Sequence, residues 1–310
     1  MKKVSKVILL LFMVGLFLAS SFTKVSVNAS ERKVYGKKID RFYNETLIYE
    51  DELPNSYSVS TQGFIPISQQ MNDNLLTPIC PDNVIGTDDR VLVYDASTDP
   101  YKKTCRISVS FNENPSQTFH STGFLVGPST ILTACHSIYD TAYGDGWFDS
   151  LTLDFGASVY SDTGQMYYPY GHYTNWTSAQ VGNYYNTNDE NDDWAIIDLG
   201  TNIGNTLGYF GLSASLSNNT TVKTYGYSSD LGGVLTYSYG SATNVLDYKF
   251  DHNCDTGIGC SGGPVTKSDN SVVGIHSCYY KTFNPLYETN RACKISVYIV
   301  GWIEDRINNS

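Results

Sequence analysis

The sequence predicts an all-β fold, a barrel or a sandwich in two lobes, and three observations support this. The chain has 310 residues, 41% of them hydrophobic, so it can bury a large core and exceeds the usual size of one barrel. From Val84 onward, short runs of β-forming residues alternate with Gly, Asn, Ser and Asp turns. These runs form two sets on either side of segment 200–208, which we expect to cross between the lobes.

The predicted strands are short, apolar and bounded by turn residues. They are Arg106–Phe111, Thr122–Val126, Leu151–Phe155 and Trp194–Leu199 in the first set, and Val222–Tyr227, Val234–Tyr237, Pro264–Thr266 and Ser271–His276 in the second. Near the end, Val300, Ile303 and Ile307 recur at helical spacing, which predicts a terminal helix packed by one apolar face. Residues 156–192 are rich in tyrosine and glycine, and we expect long loops there, with a peptide-binding surface as the alternative.

Two segments precede the predicted body. Residues 1–29 begin with lysines, continue with an apolar stretch and end in small residues, which is typical of a signal peptide cleaved after Ala29. The apolar stretch is shorter than the roughly 20 residues of a membrane-spanning helix. Residues 30–83 show no sustained periodicity, and we interpret them as a propeptide. The mature protein is therefore predicted to be secreted, without a membrane partner once the signal peptide is removed.

Charge and composition disfavour several classes of function. After residue 83 the chain has 11 basic and 23 acidic residues, a net charge of −12 that makes nucleic acid or an anionic membrane a poor partner. A zinc site is not expected, because the chain has no Cys-x-x-Cys pair and its histidines are not grouped at ligand spacing. We predict neither a metal nor a cofactor.

Ser261 is the predicted nucleophile. It lies in the run Gly-Cys-Ser-Gly-Gly-Pro at 259–264, where glycines allow a tight turn. Such a turn can direct the N–H groups of Gly259 and Ser261 together as an oxyanion hole. An ordinary glycine turn is the alternative interpretation. A serine hydroxyl needs an imidazole to take its proton and a carboxylate to orient that imidazole.

His136 and Asp193 are the candidates for these two roles. His136 follows two short apolar strands that flank a Gly-Pro turn, and it comes directly at the exit of the second strand. Asp193 precedes the apolar run Trp194–Leu199, where a buried carboxylate would need a partner such as an imidazole. Asp192 and Asp198 are the alternatives for the carboxylate.

The order His, Asp, Ser and four separated motifs resemble the chymotrypsin-like serine proteases, and among them the glutamyl endopeptidases of Gram-positive bacteria. The motifs are Val84–Arg90, Gly127–His136, Gly204–Gly211 and the run around Ser261. This resemblance implies two six-stranded antiparallel β-barrels, an N-terminal one at 84–203 and a C-terminal one at 204–310 that includes the terminal helix.

The resemblance also implies a serine endopeptidase that acts on protein or peptide substrates through an acyl-enzyme. His136 would be the general base, Asp193 its orienting carboxylate and Ser261 the nucleophile. The active protein would be a monomer, released from its precursor by an activating protease.

A specificity for Glu, and less for Asp, before the scissile bond follows from the same resemblance. In this family a threonine five residues before the nucleophile and a histidine fifteen residues after it bind the substrate carboxylate, and this chain has Thr256 and His276 there. A hydroxyl and an imidazole can both donate to an anion. The alternative for His276 is a structural histidine at the end of a strand.

The predicted new N-terminus bears on the same pocket. Relatives that begin at a valine place its α-amino group near the bound carboxylate, and Asn83-Val84 resembles their processing junction. Trypsin-type enzymes instead pair the new N-terminus with an aspartate before the serine, where this chain has Cys260. We therefore expect Val84 to supply a positive charge to the pocket.

The cysteines depart from the family pattern. Ser121 and Ser137 stand where close relatives often carry a disulfide, and Cys135 and Cys260 directly precede the catalytic candidates. For an exported protein this predicts rearranged disulfides, with a free, redox-sensitive thiol beside the catalytic candidates as the alternative. The candidate pairs are Cys105 with Cys135, and Cys254 or Cys260 with Cys278 or Cys293.

Three hypotheses on function remain at this point. The first is an endopeptidase that cleaves after Glu. The second is a chymotrypsin-fold protease of another specificity. The third, from a different class, is a non-catalytic protease fold that serves as a binding protein.

Overall fold

The structure is a computed structural model that describes residues 33–49, 52–53, 84–111, 117–143, 145–283 and 286–309. The predicted signal peptide, residues 54–83 of the predicted propeptide and Cys80 lie outside the described residues. Within the described part of the chain, no helix is both long enough and apolar enough to cross a membrane.

The described residues form seventeen strands and three short or terminal α-helices. The strands are β1 Val34–Asp40, β2 Glu45–Tyr49, β3 Val91–Val93, β4 Thr104–Ser110, β5 Phe119–Leu125, β6 Thr130–Thr133, β7 Ser150–Phe155, β8 Ser158–Val159, β9 Met166–Tyr167, β10 Trp176–Gly182, β11 Ala195–Leu199, β12 Thr221–Ser228, β13 Val234–Thr243, β14 Lys249–His252, β15 Pro264–Thr266, β16 Val272–Phe283 and β17 Leu286–Lys294. The helices are α1 Tyr184–Thr187, α2 Gly204–Leu207 and α3 Val297–Asn308.

The C-terminal lobe is a closed barrel. Strands β12, β15, β16, β17, β14 and β13 are hydrogen-bonded in this order, and β13 returns to β12 to close a six-stranded antiparallel ring. Strand β3, from the start of the predicted mature chain, adds to β13 at its outer side. Closure leaves the six ring strands without a free edge.

The N-terminal lobe is an eight-stranded antiparallel sheet in the order β2-β1-β10-β11-β6-β5-β4-β7. Its last six strands are the expected barrel strands, and the two ends approach where Leu153 of β7 and Tyr173 exchange backbone hydrogen bonds of 2.9 and 3.0 Å. Strands β1 and β2, the amino-terminal hairpin, continue this sheet beyond β10. They come from the segment that the sequence predicts to be a propeptide.

Period-two patterning explains why the predicted strands form. In β4, Cys105, Ile107 and Val109 are buried in the lobe core, whereas Arg106 and Ser108 between them are only partly buried. Such alternation is what a sheet with one face on a core requires. All eight strands predicted from sequence are present, with bounds shifted by a few residues.

The prediction of long loops at 156–192 is wrong in part. Strands β8 and β9 pair there, and β10 runs through Trp176–Gly182 as an inner strand of the sheet. The tyrosine-rich composition hid the apolar alternation of this segment. The predicted crossing at 200–208 contains α2 and connects the N-terminal sheet to β12.

The terminal helix α3 joins the two lobes. Ser296 caps it, since its hydroxyl accepts a hydrogen bond of 3.3 Å from the N–H of Ile299. The predicted apolar stripe is confirmed but centred one residue earlier, because Ile299, Trp302 and Ile303 are buried while Val300 and Ile307 are only partly buried. These side chains belong to one apolar cluster with residues of β5, β6 and β16.

The expected disulfides are not formed in the described part of the chain. The six described cysteines are all buried, and no bond joins any two of them. Their sulfurs lie against different neighbours: that of Cys135 is 3.8 Å from the Gly182 carbonyl, and that of Cys254 is 3.8 Å from the Val222 carbonyl. Cys105, Cys135, Cys254 and Cys293 pack into apolar clusters as small apolar groups, whereas the sulfur of Cys260 lies 3.3 Å from the Ser228 hydroxyl and that of Cys278 3.8 Å from Glu190.

Candidate active site

The loop that carries Ser261 lies between β14 and β15 and packs against the N-terminal lobe. The N–H of Thr122 on β5 donates to the Ser261 carbonyl at 2.9 Å, and the Thr122 hydroxyl donates to the Gly259 carbonyl at 2.7 Å. Gly259 and Gly262 adopt φ of +98° and +83°, which favours glycine. The glycines predicted to shape this turn are therefore required by its backbone.

Neighbouring strands bring His136 and Asp193 together. His136 lies in a 3-10 turn after β6, Asp193 directly precedes Trp194 and β11, and β6 pairs with β11 so that Thr133 faces Ala195. The Nδ1 atom of His136 is 2.8 Å from Oδ2 of Asp193, and the His136 N–H donates to Oδ1 at 3.1 Å. Both oxygens of the carboxylate thus contact the same histidine.

Asp193 is fully buried, and its surroundings favour the ionised form. Burial alone would raise its pKa, but the charge of His136 and hydrogen bonds from His136 and Ser277 outweigh this and lower the pKa below the ordinary value. An ionised carboxylate at Nδ1 holds the proton on that nitrogen, so the other ring nitrogen is able to accept one.

Ser277 contacts both Asp193 and Ser261, and the sequence analysis did not identify it. Its hydroxyl donates a short hydrogen bond to Oδ2 of Asp193, and its carbonyl accepts a hydrogen bond of 3.3 Å from the Ser261 hydroxyl. Ser277 lies at a register shift of β16, between His276 and Cys278. In the sequence, Ser277 could have been noticed because it directly follows His276, a predicted pocket residue.

The two other aspartates considered for the carboxylate have other contacts. Asp198 lies on β11 and forms an ion pair of 3.0 Å with Arg306 of helix α3. Asp192 accepts a hydrogen bond of 3.1 Å from the Thr187 hydroxyl. The structure therefore pairs Asp193, and not these neighbours, with His136.

His136 and Ser261 line one cavity of about 330 Å³ at the junction of the lobes. Gly259 and Ile258 line it from the Ser261 loop, and the opposite wall is apolar. That wall includes Val109, Phe111, Phe119 and Tyr143. The rings of its three aromatic residues pack with centroids 5.1 to 5.7 Å apart. The cavity can therefore hold a peptide segment beside the nucleophile.

Hydrogen bonds hold the two peptide groups whose N–H belongs to Gly259 and to Ser261. The Ile258 carbonyl accepts from Ser229 N–H at 2.6 Å, and the Cys260 carbonyl accepts from Gly263 N–H at 2.9 Å. A trans peptide directs its N–H opposite to its carbonyl, so the N–H groups of Gly259 and Ser261 point away from these anchors. This arrangement can receive an oxyanion.

Thr256 and His276 both lie buried in the C-terminal barrel. Among the described residues, the Thr256 hydroxyl has no hydrogen-bond partner, a costly state for a buried polar atom. Nδ1 of His276 lies 3.2 Å from Nε2 of His252, a buried histidine that the sequence analysis did not consider. Burial, and then the charge of His276, lowers the pKa of His252 well below its ordinary value, so His252 is neutral.

Asp255 anchors the chain just after Val84, and this contact was also missed. Its two carboxylate oxygens accept hydrogen bonds of 2.8 Å each from the N–H groups of Ile85 and Asp89. Asp255 directly precedes Thr256 in the chain, so the segment after Val84 is hydrogen-bonded to the sequence neighbour of Thr256. Only its position next to Thr256 pointed to this role.

The described residues contain no group of three or more His, Cys, Asp or Glu side chains placed to hold a metal ion.

Comparison with known proteins finds peptidases. The trypsin-like peptidase domain matches residues 121–275. An extracellular metalloprotease of Bacillus subtilis is 31% identical over 231 residues, which cover 69% of this chain and 68% of that protein. A glutamyl endopeptidase of Bacillus licheniformis is 33% identical over 192 residues, 61% of this chain and only 56% of the relative.

A solved structure of a Glu endopeptidase in complex with MPD has the same fold. It is 27% identical, with a TM-score of 0.59, and the superposition covers 73% of this chain and 99% of that one. The matched part therefore corresponds to nearly the whole chain of that structure.

Proposed function

The chain belongs to the trypsin-like peptidase family, and on this premise we propose that it is a secreted serine endopeptidase that cleaves after Glu and less well after Asp. The main support for catalysis is that His136 is hydrogen-bonded to the buried Asp193 at 2.8 Å and lines the same cavity as Ser261. Among the described residues this arrangement supplies a nucleophile, a base and an orienting carboxylate at one place.

In the proposed reaction the Ser261 hydroxyl attacks the scissile carbonyl while His136 takes its proton. His136 then gives that proton to the leaving amine, and the acyl group remains on Ser261 until water releases it. Asp193 stays ionised and holds the imidazolium that forms. The lowered pKa of Asp193 supports this role.

The N–H groups of Gly259 and Ser261 would bind the oxyanion of the tetrahedral intermediate. The carbonyls of the same two peptide groups, those of Ile258 and Cys260, accept from the N–H groups of Ser229 and Gly263, so the donors need little reorganisation. One such donor is worth about 3 kcal/mol in the transition state.

Selectivity for Glu would come from Thr256 and His276. A substrate carboxylate would give the buried Thr256 hydroxyl an acceptor that it lacks among the described residues. If neutral His252 donates its Nε2 proton to Nδ1 of His276, then His276 keeps a proton on Nε2 for the substrate. The B. licheniformis relative and the matched structure are both glutamyl endopeptidases by name, which supports this substrate class.

Activation would follow cleavage between Asn83 and Val84 by another protease. Asp255 holds Ile85 and Asp89 by their backbone, so a new amino group at Val84 would lie close to Thr256. That group would add the positive charge that a bound carboxylate needs. The active form would be a monomer acting outside the cell.

The test is a panel of chromogenic peptides ending in Glu, Asp, Lys or Phe, assayed with the processed protein and with Ser261→Ala. We expect Ser261-dependent cleavage of the Glu peptide, with slower cleavage of the Asp peptide. Faster cleavage of the Lys or Phe peptide would refute the specificity for Glu and leave a protease of another specificity. Absence of Ser261-dependent cleavage of every peptide would favour a non-catalytic binding protein.

A matched pair of variants tests the pocket. Thr256→Val keeps the volume but removes the hydroxyl, and we expect kcat/KM on Glu peptides to fall by about tenfold or more, the cost of a hydrogen bond to a charged group. Thr289→Val, at a second buried hydroxyl of the same barrel, is the control. An equal loss in both variants would contradict a role for Thr256 in substrate binding.

A further inference from the structure

We propose that the amino-terminal hairpin stays bound to the protease as a separate chain after the precursor is cut before Val84, as a permanent part of the N-terminal sheet. The cut itself rests on the proposed function. The hairpin comprises Val34–Asp40 and Glu45–Tyr49, both within the segment that the sequence predicts to be removed.

Backbone pairing is the first support. Strand β1 lies between β2 and β10, and five of its residues, Gly36 to Asp40, pair in register with Ser178–Gly182 of β10. An inner strand has hydrogen-bonding groups directed to both sides, so its loss would expose the edge of β10. The first position is tight, since a Cβ on Gly36 would lie 2.2 Å from the Val181 carbonyl oxygen.

Apolar burial is the second support. Ile39 is only 2% exposed and belongs to the same core cluster as Ala179, Val181, Ile197 and other residues of the N-terminal lobe. A core side chain of this kind contributes about 2 to 5 kcal/mol relative to alanine. The hairpin therefore completes the core of this lobe and does not merely rest on its surface.

Aromatic contacts reach the segment behind the catalytic carboxylate. The ring of Tyr35 lies 5.9 Å from that of Trp194, the residue after Asp193, and 5.5 Å from that of Trp302 on helix α3. Trp194 and Trp302 are themselves 5.0 Å apart. Tyr35 therefore closes an aromatic cluster between the hairpin, β11 and the terminal helix.

Polar and cation–π contacts also tie the hairpin to the N-terminal lobe. The Lys37 ammonium donates to the Tyr139 hydroxyl at 3.1 Å, forms an ion pair of 3.2 Å with Glu45 and lies 4.8 Å from the ring centre of Tyr185. Glu45 also accepts a hydrogen bond of 2.8 Å from Nε1 of Trp147. Tyr139, Tyr185 and Trp147 belong to the N-terminal lobe, whereas the Lys37–Glu45 ion pair lies within the hairpin.

None of these contacts passes through residues 54–83, so a cut before Val84 would leave them in place. Five paired residues of β1 and β10, a buried core residue and a charged cluster together form an interface that persists without a covalent link. The predicted propeptide would thus remain bound to the protease through its hairpin after the cut.

The experiment uses the full chain carrying Ser261→Ala, with the recognition sequence of a site-specific protease inserted directly before Val84. The protein is purified intact, cut after folding and analysed by size-exclusion chromatography and native mass spectrometry. We expect both fragments to co-elute in equal amounts and to separate only in denaturant. Release of the amino-terminal fragment under native conditions, with the remainder still folded by circular dichroism, would overturn the proposal.

A variant pair identifies the contact. Gly36→Val adds a branched side chain against the Val181 carbonyl, whereas Thr46→Val places a valine at an exposed position of β2 without adding bulk. We expect the fragment to dissociate at least tenfold faster in Gly36→Val and at the original rate in Thr46→Val. Equal dissociation rates in the two variants would show that β1 does not hold the hairpin.

A third measurement needs no hairpin variant, in case Gly36→Val does not fold. Hydrogen exchange of Ser178–Gly182 should be as slow in the cut protein as in the uncut one, and fast exchange after the cut would contradict retention. Since the protein carries Ser261→Ala and an added protease makes the cut, none of these results depends on catalysis. A failed peptide panel would therefore refute the proposed function and leave the retained hairpin standing.

Discussion

The C-terminal barrel closes on itself through the pairing of β13 with β12, whereas the N-terminal sheet continues past β10 into the amino-terminal hairpin. The first region supplies Ser261, Thr256 and His276, and the second supplies His136 and Asp193. The nucleophile and the predicted pocket thus depend on a self-contained ring. The acid–base pair depends on a sheet whose core includes a segment from far earlier in the chain.

This difference matters because the proposed catalytic residues, Ser261 on one side and His136 with Asp193 on the other, meet at the junction of the two lobes. Thr122 of the N-terminal lobe clamps the Ser261 loop, and Ser277 of the C-terminal lobe donates to Asp193. Any loosening of the hairpin-dependent lobe would therefore reach the junction. The following predictions test the two sides and the junction separately.

Removing the charge of Asp193 should have the largest effect. Asp193→Asn keeps the shape but removes the ionised acceptor at His136 Nδ1, and a loss of about 10⁴-fold in kcat is expected from the wrong histidine tautomer. Steady-state kinetics on a Glu peptide measures this. Asp192→Asn is the control, and a comparable loss there would remove the distinction between the two aspartates.

Truncating the core residue of the hairpin should destabilise the protein strongly. Ile39→Ala leaves a cavity in the N-terminal lobe, so the free energy of unfolding of the intact precursor should fall by about 2 to 5 kcal/mol. Leu47→Ala, on the exposed face of the same hairpin, should change it by less than about 0.5 kcal/mol. Denaturant unfolding distinguishes them, and similar values would mean that the hairpin is not part of the core.

The junction should be sensitive to one glycine. A Cβ on Gly262 would lie 2.1 Å from the Thr133 hydroxyl and 2.2 Å from the Thr122 carbonyl, at a positive φ. Gly262→Ala should therefore cost about 1 to 3 kcal/mol from backbone strain alone, and lower kcat/KM by at least tenfold. Gly211→Ala, with open space around it, is the control, and normal activity of both variants would contradict the observed packing.

Removing the Ser277 hydroxyl should have a smaller effect. Ser277→Ala deletes one hydrogen bond to Asp193, and we expect kcat/KM to fall by about tenfold, corresponding to roughly 1.4 kcal/mol. Ser271→Ala removes a hydroxyl that donates to the exposed residue Asp269 at 2.6 Å, far from the catalytic pair in sequence, and should be neutral. Unchanged activity of Ser277→Ala would show that the hydrogen bond from Ser277 to Asp193 does not contribute to catalysis.

The pH dependence of stability gives the most delicate comparison. The folded-state pKa of Asp193 lies below its ordinary value of 3.8, so its contribution to stability is present above that pH and is lost as the pH falls through the lowered pKa. The difference in unfolding free energy between wild type and Asp193→Asn should not begin to shrink until the pH falls below about 4. Shrinkage that begins near neutrality would mean that the pKa is raised by burial instead.

Much of the catalytic site could be predicted from sequence because its signals are local. Glycines at 259 and 262 imply the turn, and the apolar runs before His136 and after Asp193 imply adjacent strands. The predicted disulfides failed because spacing and export say that cysteines can pair, but not which sulfurs the packing brings close.

The sequence by itself determined the two-lobed all-β fold, the terminal helix and the residue types of the triad, since strand periodicity and turn chemistry are written into neighbouring residues. Only the tertiary structure decided that Ser277 bonds Asp193, that Asp255 holds Ile85, and that residues 34–49 belong to the N-terminal sheet. These contacts join positions 84, 170 and more than 130 residues apart in the chain. Such pairings depend on strand order and edge availability, which no local pattern encodes.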